Sequence, residues 1–438
     1  MYGSHPGLTD TDGDGVSDSV EYGAGSNPAA SDTDGDGMTD LYEVTHGLDP
    51  QDSRDALKDK DGDRIPNIYE FQRGTQASVA GSLPAADITV NPAFVTENAT
   101  QKKTIMAAVN AADAASGTHK IILVKSGTYD ESVYLGTKAI LILGEAGATP
   151  PTIANSSSSA SLSLQVEHAA VDGLVISHDP GAYEGRGVYV YPSGNSDQVR
   201  VANCVIKQNF SPNGAGIYQA AGDLLVQHCT LFNNENTYQY GGTGIHVEGV
   251  GRLQLLNSIV WNPEYDPEEI QVHAANDLVE IEVRRSIILG AEHAASGADP
   301  LLDSAGVPDP ASPAVDAGVV TAATKVLRDI TGKLRDVPPD LGAFEASVDT
   351  DTDGLSDAWE TAHFGGLSQT GTGNDDNDGL DNLGEAAHGT DPGQADTDGD
   401  GLSDGNEVIL HHSDPALADT DGDGIPDGYE IAHGMNRW

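Results

Sequence analysis

Aspartates recur with one fixed spacing near both ends of the sequence. The first instance, Asp10-Thr-Asp-Gly-Asp-Gly-Val-Ser-Asp-Ser-Val-Glu21, has carboxylates at positions 1, 3, 5, 9 and 12 and glycine at position 6. Oxygen ligands in this pattern are typical of calcium loops. Without a cation the carboxylates repel one another, by roughly 4 kcal/mol per close pair at an effective dielectric of about 20. We therefore predict that calcium orders this segment.

The same spacing returns along the chain, which a disordered acidic linker would not maintain. We number these segments loops 1 to 7. Their predicted ligands at positions 1, 3, 5, 7, 9 and 12 are Asp10, Asp12, Asp14, Val16, Asp18 and Glu21; Asp32, Asp34, Asp36, Met38, Asp40 and Glu43; Asp59, Asp61, Asp63, Ile65, Asn67 and Glu70; Asp349, Asp351, Asp353, Leu355, Asp357 and Glu360; Asn374, Asp376, Asp378, Leu380, Asn382 and Glu385; Asp396, Asp398, Asp400, Leu402, Asp404 and Glu407; and Asp419, Asp421, Asp423, Ile425, Asp427 and Glu430. Up to about seven Ca²⁺ ions are thus predicted.

Loops 3 and 5 depart from the pattern. Arg64 stands where loop 3 should have its turn glycine, and Asn374 and Asn382 remove ligand charge from loop 5. Because ligand charge and turn geometry set calcium affinity, we expect these two loops to be the weaker sites.

The loops also differ from paired EF-hands. Their apolar residue falls at position 7, one residue early, and Pro66 and Pro426 at position 8 lack the N–H that a bridge between loops would need. Each loop precedes a short helical stretch that ends at a glycine such as Gly47. This pattern resembles the thrombospondin type 3 repeat of bacterial secreted proteins. The resemblance implies a calcium-wrapped spacer with little hydrophobic core.

The charge of the chain excludes some partners. Of 438 residues, 69 are acidic and 21 basic, for a net charge of −48, which disfavours binding of nucleic acid through its phosphates. No apolar run is long enough to predict a membrane span. Acidic calcium loops suit the calcium concentrations outside the cell. Because the sequence starts and stops inside a repeat and shows no secretory signal, we expect a segment of a longer extracellular or cell-surface protein.

The composition changes near residues 82 and 347, and predicts repeats at 1–81 and 347–438 around a central domain at 82–346. This domain opens with a helical pattern over residues 104–115, followed by short strands, a Gly-Thr-Tyr turn and an Ile-x-Leu-x-Gly strand. The order resembles the first coil of right-handed parallel β-helices of the pectate-lyase type. We therefore expect a mainly β fold, a right-handed parallel β-helix flanked at both ends by calcium-binding repeats.

Similar strands then recur at intervals that suit one coil each, beginning at Asp172, Asn203, His228, Asn257 and Arg285. One coil cannot bury its own apolar face, so the coils must stack about 4.8 Å apart. An antiparallel sandwich is the alternative, and it would need hairpin turns at shorter intervals. Cys204 and Cys229 occupy equivalent positions in successive coils, as free thiols or as a disulfide.

Three short motifs close the central domain. They begin at Asp299, Ser312 and Asp340 and read Asp-Pro-Leu-Leu, Ser-Pro-Ala-Val-Asp-Ala-Gly and Asp-Leu-Gly-Ala-Phe-Glu. They resemble the tail of the bacterial choice-of-anchor Q β-helix proteins, a surface or secreted family.

One strand face of the helix could contact a ligand. A β-helix lyase needs an Arg or Lys base beside acidic calcium ligands. The aligned outward positions offer stacking and hydrogen-bonding groups but no acidic pair with a nearby arginine, so no catalytic residue is assigned. The candidate glycan-binding residues are Tyr189, Tyr191, Tyr218, His246, Glu248 and His273.

Two functions remain open, because β-helices host both. The first is a non-enzymatic, extracellular, calcium-binding structural or adhesive module that binds extracellular polysaccharide or other surface proteins, or that assembles head-to-tail into a calcium-dependent filament. The second is a carbohydrate-active enzyme, a polysaccharide lyase or glycoside hydrolase, with calcium-binding spacers.

Overall fold

We describe the protein from a computed structural model. It describes residues 5, 8–80, 84–113, 119–136, 139–157, 159–178, 185–192, 198–212, 214–236, 243–263, 270–272, 279–288, 298–320, 328–411, 413–420 and 425–433. The predicted ligands Asp421 and Asp423 and the candidate His273 lie outside these residues.

Short helices follow the calcium loops, as the sequence predicts. They start at loop position 9, and most end at a glycine in the left-handed conformation, such as Gly47 with φ 69°. The helices are α1 (Asp18–Ala24), α2 (Asp40–His46), α3 (Asn67–Arg73), α5 (Asp357–Phe364), α6 (Asn382–His388), α7 (Asp404–Asn406), which continues as a π-helical turn (Glu407–His411), and α8 (Asp427–His433), whereas α4 (Ile105–Asp113) belongs to the central domain.

The central domain is a parallel β-helix with three long sheets, which confirms the predicted fold class. In spatial order, the first sheet contains β2 (Gln101–Lys102), β1 (Ile88–Val90), β3 (Lys120–Val124), β6 (Ile140–Gly144), β9 (Ala169–Asp172), β12 (Gln198–Ala202), β16 (Asp223–Gln227), β20 (Gly251–Leu256) and β23 (Val279–Arg284). The second contains β24 (Ile287–Ile288), β21 (Ile259–Trp261), β17 (Thr230–Phe232), β13 (Val205–Lys207), β10 (Val175–His178), β7 (Thr152–Asn155) and β4 (Thr128–Tyr129). The third contains β22 (Ile270–Val272), β19 (Ile245–Val247), β15 (Ile217–Gln219), β11 (Val188–Val190), β8 (Leu162–Leu164) and β5 (Val133–Leu135), and β14 (Phe210–Ser211) pairs separately with β18 (Glu235–Asn236).

Inward-facing aliphatic side chains from all three sheets form one continuous core. Helix α4 adds Ile105 and Val109 to this core, and the Glu131 carboxylate accepts hydrogen bonds from the first two N–H groups of the helix. The helix therefore closes apolar surface that the first strands would otherwise expose.

Polar side chains also stack inside the coils. Asn209 Nδ2 donates to Asn234 Oδ1 at 2.9 Å, and Asn234 N donates to Asn262 Oδ1 at 2.6 Å, which forms a fully buried asparagine ladder. Cys204 and Cys229 are buried free thiols at equivalent positions in adjacent coils.

The described chain divides into two compact units. The first comprises Met1–Asp299, Ala322–Lys333 and Gly342–Phe344, and the second comprises Pro300–Thr321, Leu334–Leu341 and Glu345–Trp438. The N-terminal repeats thus belong to the same unit as the β-helix. The C-terminal repeats form a unit with two segments of the predicted tail.

The N-terminal repeats have a hydrophobic core, unlike the spacer that the family resemblance implies. Met38, Ile65, Ile68 and Tyr69 of loops 2 and 3 pack on the outward-facing residues of the first sheet, which are Ile121 of β3, Leu141 of β6 and Ala170 of β9. These strands carry apolar residues on both faces because the helix core covers one face and the repeats cover the other.

Candidate metal centres

Side chains at positions 1 and 9 hold the loops together, and in most loops these side chains are carboxylates. In loop 2, Asp32 accepts hydrogen bonds from the N–H groups of Gly35 and Gly37. Asp40 accepts from Thr33 N at 2.8 Å and from Thr33 Oγ1 at 2.7 Å. The same pair of bonds joins positions 2 and 9 in loops 1, 4, 6 and 7. Position 9, predicted as a ligand, therefore also closes the loop.

Other oxygens of the loops have no hydrogen-bond partner. In loop 2 these are Oδ2 of Asp34, Oδ2 of Asp36 and both carboxylate oxygens of Glu43, all buried. Equivalent buried oxygens occur on Asp12, Asp14, Glu21, Glu70, Glu360, Asp376, Glu385, Asp398 and Glu407. A buried carboxylate oxygen without a donor is costly unless a cation neutralises it. This set of hard oxygen donors at positions 3, 5 and 12 fits Ca²⁺.

The pKa values of these groups point the same way. Burial, and then the neighbouring carboxylates, raise the pKa of Glu43 to about 10 and that of Asp36 to about 8. The same causes raise the pKa of the position-12 glutamates of loops 1, 3, 4, 5 and 6, which are Glu21, Glu70, Glu360, Glu385 and Glu407. Within the described parts of the chain, no positively charged side chain lowers the pKa of these carboxylates, whereas a divalent cation would keep them ionised.

Position 7 serves the loops through its backbone and its side chain. Its N–H donates to the position-5 carboxylate, as from Met38 to Asp36 at 2.7 Å, which leaves the other carboxylate oxygen for a ligand. The position-7 side chain is buried at Val16, Met38, Ile65, Leu355 and Leu380.

Position 6 is where the next repeat packs. A Cβ added at Gly15 would lie 3.2 Å from Leu41 Cδ2 of the following repeat, and one at Gly354 would lie 3.1 Å from Leu383 Cδ2. A Cβ at Gly37 would lie 3.5 Å from Ile68 Cδ1, whereas one at Gly379 or Gly401 would meet nothing within 4 Å. In loops 1, 2 and 4, glycine at position 6 therefore both permits the positive φ of the turn and leaves room for position 10 of the next repeat.

Loop 3 is followed by the β-helix instead of another repeat, and there Arg64 replaces glycine. Its backbone adopts the same left-handed conformation, with φ 82°, and its N–H still donates to Asp59. Its side chain reaches the β-helix, where Nε lies 2.6 Å from Asp172 Oδ1 and a terminal nitrogen donates to Gly144 O. Arg64, which departs from the loop pattern, thus anchors loop 3 on the β-helix.

A second arginine completes this buried contact. Arg200 of β12 has no exposed surface, and its guanidinium lies 3.5 Å from Asp172 Oδ2 and 3.9 Å from Asp59 Oδ2. Asp172 of the β-helix therefore pairs with Arg64 of loop 3 and with Arg200 of β12. Asp59, at position 1 of loop 3, lies near the same Arg200. The long sequence separation of these residues hid this network from sequence reasoning.

The asparagines of loops 3 and 5 fold their loops in a different way. Asn67 accepts from Lys60 N and donates to Asp55 O, and Asn382 donates to Thr370 O. In loop 5, position 1 is Asn374, which accepts from Asn377 N at 2.6 Å. The amides retain the closure of the loop, so our expectation of weaker calcium binding rests on lost charge alone.

The candidate glycan-binding residues form a row on the third sheet. Tyr189, Tyr218 and His246 occupy paired positions on adjacent strands, with ring centroids 5.6 and 5.0 Å apart. Tyr218 is 9% and His246 2% exposed, and Arg186 lies 4.4 Å above the ring of Tyr218.

The accessible part of this row lies to either side of Tyr189. Tyr191 stacks on Tyr189 and is 52% exposed, and Glu248 is exposed. Tyr134, on β5 of the same sheet, is 47% exposed and extends the row, although sequence reasoning missed it. The Val-Tyr-Leu sequence of β5 could have indicated an outward-facing tyrosine, because the residues on either side of Tyr134 are buried.

Comparison with known families identifies the repeats. Residues 10–30, 32–53, 349–365, 375–395, 396–418 and 419–434 match the family described as Bacterial TSP3 repeat. These segments are thrombospondin type 3 repeats, as the sequence predicts. Loop 3, which carries Arg64, lies outside the matched residues.

Solved structures with a similar fold include pectin methylesterases. The enzyme from Aspergillus niger is 15% identical, with a TM-score of 0.31 over 47% of this chain and 77% of that one. The enzyme from carrot is 15% identical, with a TM-score of 0.29 over 47% of this chain and 84% of that one. Among curated protein sequences, none matches this chain. Every described helix is too short or too polar to cross a membrane.

Proposed function

We propose that this chain is a non-enzymatic extracellular module in which calcium-bound repeats stabilise a parallel β-helix for adhesion or display at a cell surface. The observation that carries the proposal is the packing of loops 2 and 3, with their buried ligand oxygens, on the first sheet of the β-helix. Calcium there supports the fold itself. Calcium-dependent folding of this kind suits a calcium-rich environment outside the cell.

Thermal unfolding of metal-stripped protein, with and without millimolar calcium, tests the structural part. We expect calcium to raise the unfolding temperature, because it binds the folded loops and not the unfolded chain. Equal unfolding curves in the two conditions would contradict the proposal.

A screen on acidic and neutral polysaccharides tests the alternative, a polysaccharide lyase or glycoside hydrolase. New reducing ends or unsaturated products, formed by the calcium-loaded chain, would favour the enzyme. We expect neither, because the described strand row consists of stacked rings beside Arg186 rather than an acidic pair with a base.

Glycan binding by the third sheet is a second proposal within the same function. Exposed tyrosine rings bind sugars by stacking, and Tyr134 and Tyr191 present such rings on one sheet. Affinity electrophoresis in polysaccharide gels should show retardation that Tyr191→Ala abolishes. The control is Tyr22→Ala, which removes an equally exposed ring from α1; equal retardation of the two variants would contradict binding at Tyr191.

Head-to-tail self-assembly remains a further proposal for the calcium-loaded chain, since heterologous contacts that do not close form filaments. Light scattering in millimolar calcium and then in chelator tests it. A monomer in both conditions would rule it out.

A further inference from the structure

A carboxylate outside the predicted ligand pattern lies at the metal centre of loop 2. Asp55 belongs to the connection between loops 2 and 3, which is longer than the one between loops 1 and 2. One oxygen from each of Asp36, Glu43 and Asp55 lies within 4.8 Å of the others. All three residues are more than nine-tenths buried, at 3%, 0% and 4% exposure.

Each of these three carboxylates has at least one buried oxygen without a donor. Asp36 Oδ2, Asp55 Oδ1 and both oxygens of Glu43 have no hydrogen-bond partner. Three buried carboxylates cannot all be ionised at this separation unless a positive charge lies among them. Glu43 and Asp36 are already predicted ligands of loop 2, so the cation that they require is the calcium ion of that loop.

Comparison with the other repeats shows that accepting one backbone hydrogen bond does not require a carboxylate at the position of Asp55. Its Oδ2 accepts a hydrogen bond from Asp49 N at 2.9 Å. In three other repeats the equivalent N–H donates to a threonine hydroxyl instead. These bonds run from Asn27 N to Thr33, from Asp391 N to Thr397 and from Asp414 N to Thr420. A hydroxyl is therefore sufficient for this task, and it leaves the second carboxylate oxygen of Asp55 without a structural role.

The groups around the position-12 glutamate also differ between loop 2 and loops 5 and 6. Thr390 donates to Glu385 in loop 5, and Ser413 Oγ donates to Glu407 at 3.0 Å in loop 6. Loop 2 has the carboxylate of Asp55 near Glu43 instead. Loop 2 has Leu48 at the position where loop 5 has Thr390, so that hydroxyl is missing. An ionised carboxylate cannot donate a hydrogen bond to Glu43, so the position of Asp55 beside Glu43 suits a shared cation.

We propose that Asp55 is an additional ligand of the calcium ion in loop 2, so that two successive repeats hold one ion. The inference rests on the calcium binding proposed above. An extra charged ligand strengthens calcium binding, and loop 2 should therefore become occupied at lower calcium than loop 1. Ligation by Asp55 would also make the connection between loops 2 and 3 depend on the ion. This connection contributes Ala56 and Leu57 to the apolar contact with the β-helix.

Hydrogen exchange of the full chain, titrated with free calcium, tests the inference at one helix. In Asp55→Asn, the calcium midpoint for protection of α2 should rise by about tenfold, because one ligand charge is lost. The midpoints of α1 and α6 should not change. The matched control is Asp52→Asn in the same connection, where Asp52 pairs with Arg54 and Lys58 and is not part of the cluster; its α2 midpoint should stay within twofold of the wild type.

Each outcome is decisive. An α2 midpoint in Asp55→Asn within twofold of the wild type would overturn the role of Asp55 while leaving calcium binding intact. If calcium does not change the hydrogen-exchange protection of α2 in the wild type, the calcium proposal for this loop would be overturned instead. Should Asp55→Asn fail to order at saturating calcium, anomalous diffraction from calcium-loaded wild-type crystals decides: an ion within about 2.6 Å of Asp55 Oδ1 supports the inference, and an ion without that contact overturns it.

Discussion

The two groups of repeats share a loop but are held in different ways. In the N-terminal repeats, apolar residues at position 10 pack on the preceding turn glycine, and the third repeat packs on the β-helix through Ile65, Ile68 and Tyr69. In the C-terminal repeats, Leu383 of loop 5 packs near Gly354 in the same way, but loops 6 and 7 have Gly405 and Gly428 at position 10. Their N–H groups donate to the position-5 carboxylates Asp378 and Asp400 of the preceding loops, at 2.5 and 2.6 Å.

This difference separates two sources of order. An apolar contact keeps its free energy when calcium leaves, whereas a contact between a backbone N–H and a predicted calcium ligand depends on the position of that carboxylate. The apolar cluster of the C-terminal unit is smaller and centres on Leu355, Trp359 and Ala386 of its first two repeats. The same sequence motif can therefore contribute to a hydrophobic core, or it can have few apolar contacts and, on our proposal, depend mainly on calcium for its order.

Calcium removal should divide the two groups most strongly. With chelator, we expect α8 to lose hydrogen-exchange protection entirely and α3 to retain a part of it, because Ile68 and Tyr69 remain buried against the β-helix. Helix α4, which lies in the β-helix core, is the internal control. Equal loss in α3 and α8 would show that the apolar contact contributes no order of its own.

Asp172→Asn should release the N-terminal repeats from the helix. The substitution leaves the buried guanidinium groups of Arg64 and Arg200 without their common charge, which typically costs about 3–5 kcal/mol of unfolding free energy. Denaturant unfolding of calcium-loaded protein measures it. Glu145→Gln is the control, because the partly exposed pair of Lys125 and Glu145 should contribute only about 0–1 kcal/mol. Equal losses would show that the network does not anchor the repeats.

Gly405→Ala tests the close approach of backbones in the C-terminal repeats. The new Cβ would lie 2.7 Å from Asp378 O, so we expect a loss of about 1–3 kcal/mol despite the better helix propensity of alanine. Gly23→Ala in α1 is the matched control. It meets nothing within 4 Å and should stabilise its helix by about 0.5–1 kcal/mol. Thermal unfolding in saturating calcium distinguishes the two, and a gain in both variants would refute the predicted clash.

Acid should weaken the N-terminal contact through His119. This ring packs on Tyr69 and lies 3.2 Å from His168 Nδ1, and burial, then His168 and Arg73, lower its pKa to about 4. Because the unfolded pKa is about 6.5, the folded state loses stability as the pH falls from about 6.5 towards 4. We expect His119→Gln to remove about 1–2 kcal/mol of that dependence. Unfolding measured from pH 7 to pH 4.5 checks this, with the exposed His5→Gln as control; unchanged dependence in His119→Gln would contradict it.

The sequence predicted what local spacing determines. The short helix after each loop and its cap at Gly47 lie within one repeat, and the parallel β-helix follows from strands that recur once per coil. The ligand positions stay a prediction. The sequence did not predict that Arg64 pairs with Asp172, because the two residues lie 108 positions apart and neither belongs to a periodic pattern that relates them. We expected Arg64 to weaken loop 3; calcium affinity there stays a prediction, whereas the structural reason for the arginine is now evident.

The hydrogen bonds between positions 2 and 9 also bear on how fast the repeats form. Thr33 and Asp40 are seven residues apart, so each loop closes through a short chain segment. Strands of the β-helix pair only after a whole coil has been laid down, as between Val205 and Thr230. Since folding slows as contacts become less local, the repeats should form early and the coils late. A chain emerging into a calcium-rich medium would then acquire its ends before its middle, and the docking of loop 3 would wait for the sheet that receives it.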